Sequence, residues 1–134
     1  MDRFFLRLRA DSPMSRFNYA IDLSGELFHI HSHHNLRAED LPAPVSVQQL
    51  HLRVERQVLQ RLPHTGAIVF SIRTYLTPIT EVTKDANAAR ALRTNVRSFS
   101  EEVAVYKNKA LWNDALEEHL EEVCGKSTSV AAAD

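Results

Sequence analysis

The sequence predicts an α+β fold, an antiparallel sheet of three or four strands followed by two or three helices. Three observations predict it. Apolar residues alternate with polar ones over residues 15–23, 47–62 and 67–77, and a side-chain period of two marks a strand. The short connection Pro63-His64-Thr65-Gly66 joins the last two runs, which makes them a hairpin. Beyond Pro78 the apolar spacing changes to that of a helix. Strands first and helices afterwards is the order of an α+β chain, not of alternating βαβ units.

Residues 2–9 place Phe4, Phe5 and Leu8 at helical spacing among Arg3, Arg7 and Arg9, a short amphipathic helix ended near Pro13. Residues 15–23 set Phe17, Tyr19, Ile21 and Leu23 on one face of a strand. Ser24-Gly25 reads as a turn, with residues 26–30 as a short returning strand. Residues 31–46 are polar, rich in histidine and interrupted by Pro42 and Pro44. Such a loop is long enough to carry function or to be disordered.

Leu50, Leu52 and Val54 alternate as in a strand, but Val58, Leu59 and Leu62 fit a helix equally, which leaves the end of that strand open. Gly66 supplies the positive φ that hairpin loops use. Residues 67–77 divide into an apolar face (Ile68, Phe70, Ile72, Thr74, Leu76) and a mixed one (Val69, Ser71, Arg73, Tyr75), and Pro78 stops the strand.

Helices follow over residues 85–98, with Ala88, Ala89, Leu92 and Val96 inward, and over 100–107, with Val103, Ala104 and Tyr106 apolar. The clearest helix is 109–123, where Leu111, Trp112, Ala115, Leu116, Leu120 and Val123 form one stripe. Glu117, Glu118, Glu121 and Glu122 form the opposite, solvated face, and Gly125 fits a C-terminal cap. One domain over residues 1–125 and a disordered tail over 126–134 are expected.

Composition narrows the function. With 44% apolar and 25% charged residues the chain is an ordinary globular protein. A net charge of −1 gives no general attraction to nucleic acid or anionic membrane. No apolar run approaches the roughly 20 residues of a membrane span. The charged N-terminus does not read as a secretory signal, and a lone Cys124 suits a reducing, cytoplasmic setting. Gly25, Gly66 and Gly125 form no dinucleotide or P-loop pattern, and no Cys-x-x-Cys exists. Redox chemistry in this chain would therefore draw electrons from another protein.

The strand from residue 50 carries the candidate site. Arg53, Glu55 and Gln57 share one face, with Arg56 on the other. Charges in a packed strand are costly unless they pair or meet a ligand. One reading is a cross-strand ion-pair network with Arg73; the other is an arginine fork meeting a ligand carboxylate, with Glu55 orienting it. Tyr75 is either a half-buried strand tyrosine or a ligand contact. His29, His31, His33 and His34 are an iron-ligand source, another metal site or a solvated loop. His64 falls in the hairpin turn, His119 at the edge of the helix stripe, and Trp112 in the core.

The stretch Leu52-Arg53-Val54-Glu55-Arg56-Gln57-Val58-Leu59-Gln60-Arg61-Leu62-Pro63, followed by Gly66-Ala67-Ile68-Val69-Phe70-Ser71-Ile72-Arg73-Thr74-Tyr75, resembles the heme-dependent oxidative N-demethylases. These are also described as dimethylamine monooxygenase subunits, long filed as a domain of unknown function. Arg3-Phe4-Phe5 and Arg16-Phe17-Asn18-Tyr19 are similar to the family's arginine-phenylalanine-phenylalanine and arginine-x-asparagine-tryptophan stretches. Val105-Tyr106-Lys107 is similar to its tyrosine-lysine step before the last helix.

The resemblance implies a PAS-like fold around a b-type heme (heme b) that activates oxygen and removes a methyl group from a small secondary or tertiary amine. Electrons would come from a flavin/iron–sulfur reductase. It implies that the chain carries the C-terminal part of the family domain, and it gives the candidates roles. Arg53, Arg56, Arg73 and Asn18 would contact the cofactor, and Glu55 and Tyr75 would serve catalysis. His33 or His34 would ligate iron, because the family has a histidine at about this distance after its leucine-phenylalanine strand. His51, where the family often has an aromatic residue, would be packing. The alternative is a non-catalytic PAS-like module that binds heme or a small ligand, or an inactive relative.

Overall fold

The structure, a computed structural model, describes residues 2–28, 39 and 44–130. Its fold is α+β. β1 (Met14–Asp22), β2 (His51–Arg61) and β3 (Ile68–Pro78) form a three-stranded antiparallel sheet in the order β1-β2-β3. The helices are α1 (Asp2–Arg7), α2 (Ile79–Val82), α3 (Ala86–Arg97), α4 (Glu101–Tyr106) and α5 (Lys109–Val130). The chain divides into two compact units, Met1–Ala20 with Arg53–Tyr75, and Ile21–Leu52 with Leu76–Asp134.

The first unit holds α1 and most of the sheet. β2 and β3 each run for 11 residues. Their loop closes with the Leu62 amide donating to the Ala67 carbonyl at 2.8 Å and the Gly66 amide to Leu62 at 3.0 Å. Gly66 takes φ +70°, the left-handed conformation expected of it. The open question over Val58, Leu59 and Leu62 resolves as strand through Arg61, because the ladder to β3 satisfies the backbone there.

Arg61 then ties α1 down. Its guanidinium donates to the carbonyls of Leu8 at 2.7 Å, Gly66 at 2.6 Å and Phe5. Phe5 lies in the last turn of α1 and Leu8 just after it; the Phe5 carbonyl also accepts from the Leu8 amide at 3.3 Å. The Leu8 side chain is itself buried.

The second unit contains the hydrophobic core. Leu50 and Ile79 are fully buried and joined by a hydrogen bond from the Ile79 amide to the Leu50 carbonyl at 2.9 Å. Around them pack Ala89, Leu92 and Val96 of α3 and Leu111, Trp112, Leu116 and Leu120 of α5. Asp85 caps α3 by accepting from the amides of Asn87 and Ala88 at 2.7 and 3.2 Å. The Ser100 hydroxyl accepts from the Val103 amide at α4. The Trp112 indole N–H donates to the Lys107 carbonyl at 3.1 Å, so its one polar atom is satisfied within the core.

Several local expectations change. Residues 26–28 form no strand, and residues 47–49 form a 3₁₀ turn instead of the start of β2. There the Gln49 side chain accepts from the Ser46 amide at 2.9 Å and pulls the backbone out of extension. α5 continues through Gly125 to Val130, five residues beyond the expected cap. An interior glycine costs only about 1 kcal/mol, and no proline follows to end the helix. Residues 126–130 are thus helical, and 131–134 lie outside the described residues.

Tyr106, one of the apolar members of the helix read over residues 100–107, is 64% exposed. Glu117 is not on a solvated face: its side chain is 20% exposed and receives the Arg97 guanidinium through bonds of 2.9 and 2.8 Å.

Candidate functional site

A cavity of about 870 Å³ lies in the first unit, lined by Phe4, Phe5, Met14, Ser15, Arg16, Gln57, Leu59, Ile68 and Phe70. Its size suits a small molecule or cofactor, for which sites of roughly 300–1,000 Å³ are usual. The alternation of β2 and β3 builds it: Gln57 and Leu59 of one strand share a face with Ile68 and Phe70 of the other. α1 supplies Phe4 and Phe5, whose rings meet edge to face at 5.5 Å. Phe4, Met14 and Phe70 remain 41, 49 and 49% exposed, so the cavity keeps wet apolar walls. Contiguous exposed apolar surface of this kind is a candidate for ligand binding.

One line of polar groups crosses this wall. Arg16 Nε donates to Gln57 Oε1 at 2.6 Å, and Gln57 Nε2 donates to Glu55 Oε2 at 3.0 Å. Glu55 Oε1 faces Arg53 Nε at 3.7 Å. Gln57 is buried at 7% exposure, so both its amide ends need these partners. Arg16 spends one N–H on Gln57, and its terminal nitrogens meet no protein acceptor among the described residues.

The expected site residues are therefore only partly assembled. Arg53, Glu55 and Gln57 share the cavity's side of β2, as read from the sequence, and Asn18 sits two residues from Arg16 on β1. Arg56, Arg73 and Tyr75 belong to the opposite face by the same alternation. There the Arg73 guanidinium lies 5.4 Å from the Tyr75 ring centre, a cation–π pair. The ion pair of Glu55 is thus made along its own strand with Arg53, not across to Arg73.

His33 and His34, with His29 and His31, lie outside the described residues. The described histidines line no part of the cavity. His51 packs its ring against Gly25, where a Cβ would meet it at 3.0 Å, in keeping with a packing role. His119 Nε2 lies 2.8 Å from the Thr83 hydroxyl, and His64 is exposed in the turn. Among the described residues no group of three or more His, Cys, Asp or Glu side chains gathers as for a metal ion.

Sequence reasoning passed over Arg16 and Arg61. The signal for Arg16 was present, since it heads the Arg16-Phe17-Asn18-Tyr19 stretch. Arg61 gave none, because its three acceptors are backbone carbonyls that any residue carries.

An apolar cavity with an arginine set into one wall has the lining that a largely apolar molecule bearing an anionic group would need. Residues 1–117 match the family model described as haem-dependent oxidative N-demethylase, alpha subunit-like. The chain belongs to that family. The residues present fit a heme: the aromatic and aliphatic walls suit the macrocycle, and the uncommitted Arg16 donors suit a propionate. Among the described lining residues Met14 carries a thioether, a side chain that ligates heme iron in some proteins. No helix among the described residues is long and apolar enough to cross a membrane.

Proposed function

We propose that the first unit binds heme b in the cavity between α1 and the sheet and that the chain serves oxidative N-demethylation. The observation that carries this reading is the apolar cavity with Arg16 in its wall, in a chain of this family. Bound there, heme would supply the oxygen-activating iron for monooxygenase-type loss of a methyl group from a small secondary or tertiary amine. Phe4, Phe5, Leu59 and Phe70 would cover the ring and exclude water from it.

Glu55, held by Gln57 and Arg53, is a hydrogen-bond acceptor one strand step from the cavity wall. It orients the polar line and is the candidate to meet a protonated amine. Asn18 supports the same face of β1, and His33 or His34 is the candidate iron ligand. On this reading the arrangement is PAS-like, the setting is the cytoplasm, and a separate flavin/iron–sulfur reductase delivers the electrons. Arg56, Arg73 and Tyr75 form an outer face suited to that partner, because an arginine stacked on tyrosine presents charge and apolar surface together.

The test is a hemin titration followed by visible absorbance. A saturating one-to-one Soret band is expected, and its absence rejects the reading. His33→Ala, His34→Ala and Met14→Leu identify the ligand by which one shifts the band. Formaldehyde release from dimethylamine under a supplied reductant then separates the enzyme from a non-catalytic heme module.

A further inference from the structure

We propose that Arg16 is the carboxylate-recognising residue of the cavity, held in place by Gln57. Its guanidinium stands in a mainly apolar wall with Phe4, Met14, Leu59 and Phe70, where Ser15 and Gln57 are the other polar residues. Its one side-chain partner is a neutral amide oxygen, at 2.6 Å. Glu55, the nearest carboxylate along the polar line, is occupied by Gln57 and by Arg53. Arg16 is solvent-exposed and meets no carboxylate among the described residues, so its charge and its remaining N–H donors face water beside apolar surface, open to a ligand. A planar carboxylate satisfies both, because two parallel N–H···O bonds neutralise the charge and fill the donors.

Gln57 makes the orientation specific. Its oxygen binds Nε, and its nitrogen is tied back to Glu55. The amide therefore cannot flip without turning its NH₂ group towards Arg16. The guanidinium is held by one edge, which leaves its opposite edge for a ligand. The ligand chemistry is an apolar body ending in a carboxylate. A heme propionate and the head of a fatty acid both present it. For heme the inference rests on the function proposed above.

The experiment compares each acid with its ester. Hemin and hemin dimethyl ester are titrated by Soret absorbance, and dodecanoate and methyl dodecanoate by calorimetry, against the intact chain and three variants. Arg16→Met removes the charge, Arg16→Lys keeps the charge without the fork, and Gln57→Leu frees Arg16. The intact chain should bind the preferred acid about 10- to 100-fold more tightly than its ester, the range for a charge-assisted pair of bonds.

Arg16→Met should abolish that preference while leaving ester affinity unchanged; Arg16→Lys and Gln57→Leu should retain part of it. An acid preference confined to the hemin pair assigns the site to propionate, and one confined to the dodecanoate pair assigns it to a fatty acid. Hemin that binds with equal acid and ester affinity, or with a preference that survives Arg16→Met, overturns the role of Arg16 and leaves the heme reading standing. Failure of hemin to bind removes the heme reading alone; the dodecanoate pair then decides Arg16, and absence of acid preference there overturns it.

Discussion

Replacing Arg61 with methionine should detach α1 from the sheet without unfolding the core. The side chain donates to the carbonyls of Phe5, Leu8 and Gly66, so the substitution deletes three charge-assisted hydrogen bonds. Each is worth about 1.5–3 kcal/mol net in favourable cases. The three share one guanidinium and are not additive, so about 2–4 kcal/mol is the expected loss. α1 has only 6 residues, and the buried anchor beside it, Leu8, directly follows it. A helix this short has no stability of its own.

The loss should therefore appear as local opening of residues 2–10. Hydrogen exchange of that segment should rise to the rate of an unfolded chain. Trp112, the single tryptophan, reports the second unit alone. Its urea midpoint should move by less than a few tenths of a molar. Arg61→Lys should restore only part of the protection, because an ammonium lacks the fork that reaches three carbonyls. Unchanged exchange in residues 2–10, or a Trp112 transition that shifts as much as the local one, would refute the clamp.

Asp85→Ala removes the acceptor for the Asn87 and Ala88 amides and should cost about 1 kcal/mol in urea unfolding. Leu116→Ala opens the fully buried face of α5 and should cost about 2–5 kcal/mol, read by Trp112 fluorescence. The hydrogen bond from Arg97, with burial opposing it and the charges of Arg97 and Arg93 adding to it, holds the Glu117 carboxyl below its ordinary value of 4.5. A depressed carboxylate contributes stability that is present above its unfolded value and is lost as the pH falls through the folded one. Glu117→Gln should thus reduce stability at neutral pH and flatten the acid limb below about pH 4.5; an unchanged limb would show that the Arg97 bond does not contribute.

The elements most legible in the sequence were those whose pattern is local. β3 and the stripe of α5 follow from periods of two and 3.6, and the connection at Gly66 from the φ it must take. Boundaries were less legible where a side chain competes with the backbone, as Gln49 does before β2. The polar residues of β2 were recognisable as an interacting cluster, because charge in a half-buried strand demands a partner. Which partner was not recognisable. Arg73 was the plausible choice by cross-strand proximity, yet the alternation puts it on the other face from Glu55. Glu117 was misplaced for a similar reason: a row of glutamates looks solvated until α3 brings Arg93 and Arg97 against it.

By itself, the sequence determined the α+β order, the β2–β3 hairpin, the apolar stripe that closes the second unit, and the family to which the chain belongs. These depend on neighbours within a few residues or on motifs read in a row. Only the tertiary structure decided what stands in the cavity wall. Arg16 meets Gln57 across 41 residues, and Arg61 reaches the end of α1 across 53 and 56. No periodicity encodes such pairs, because they arise when strand pairing and helix docking bring distant backbone and side chains within hydrogen-bond reach.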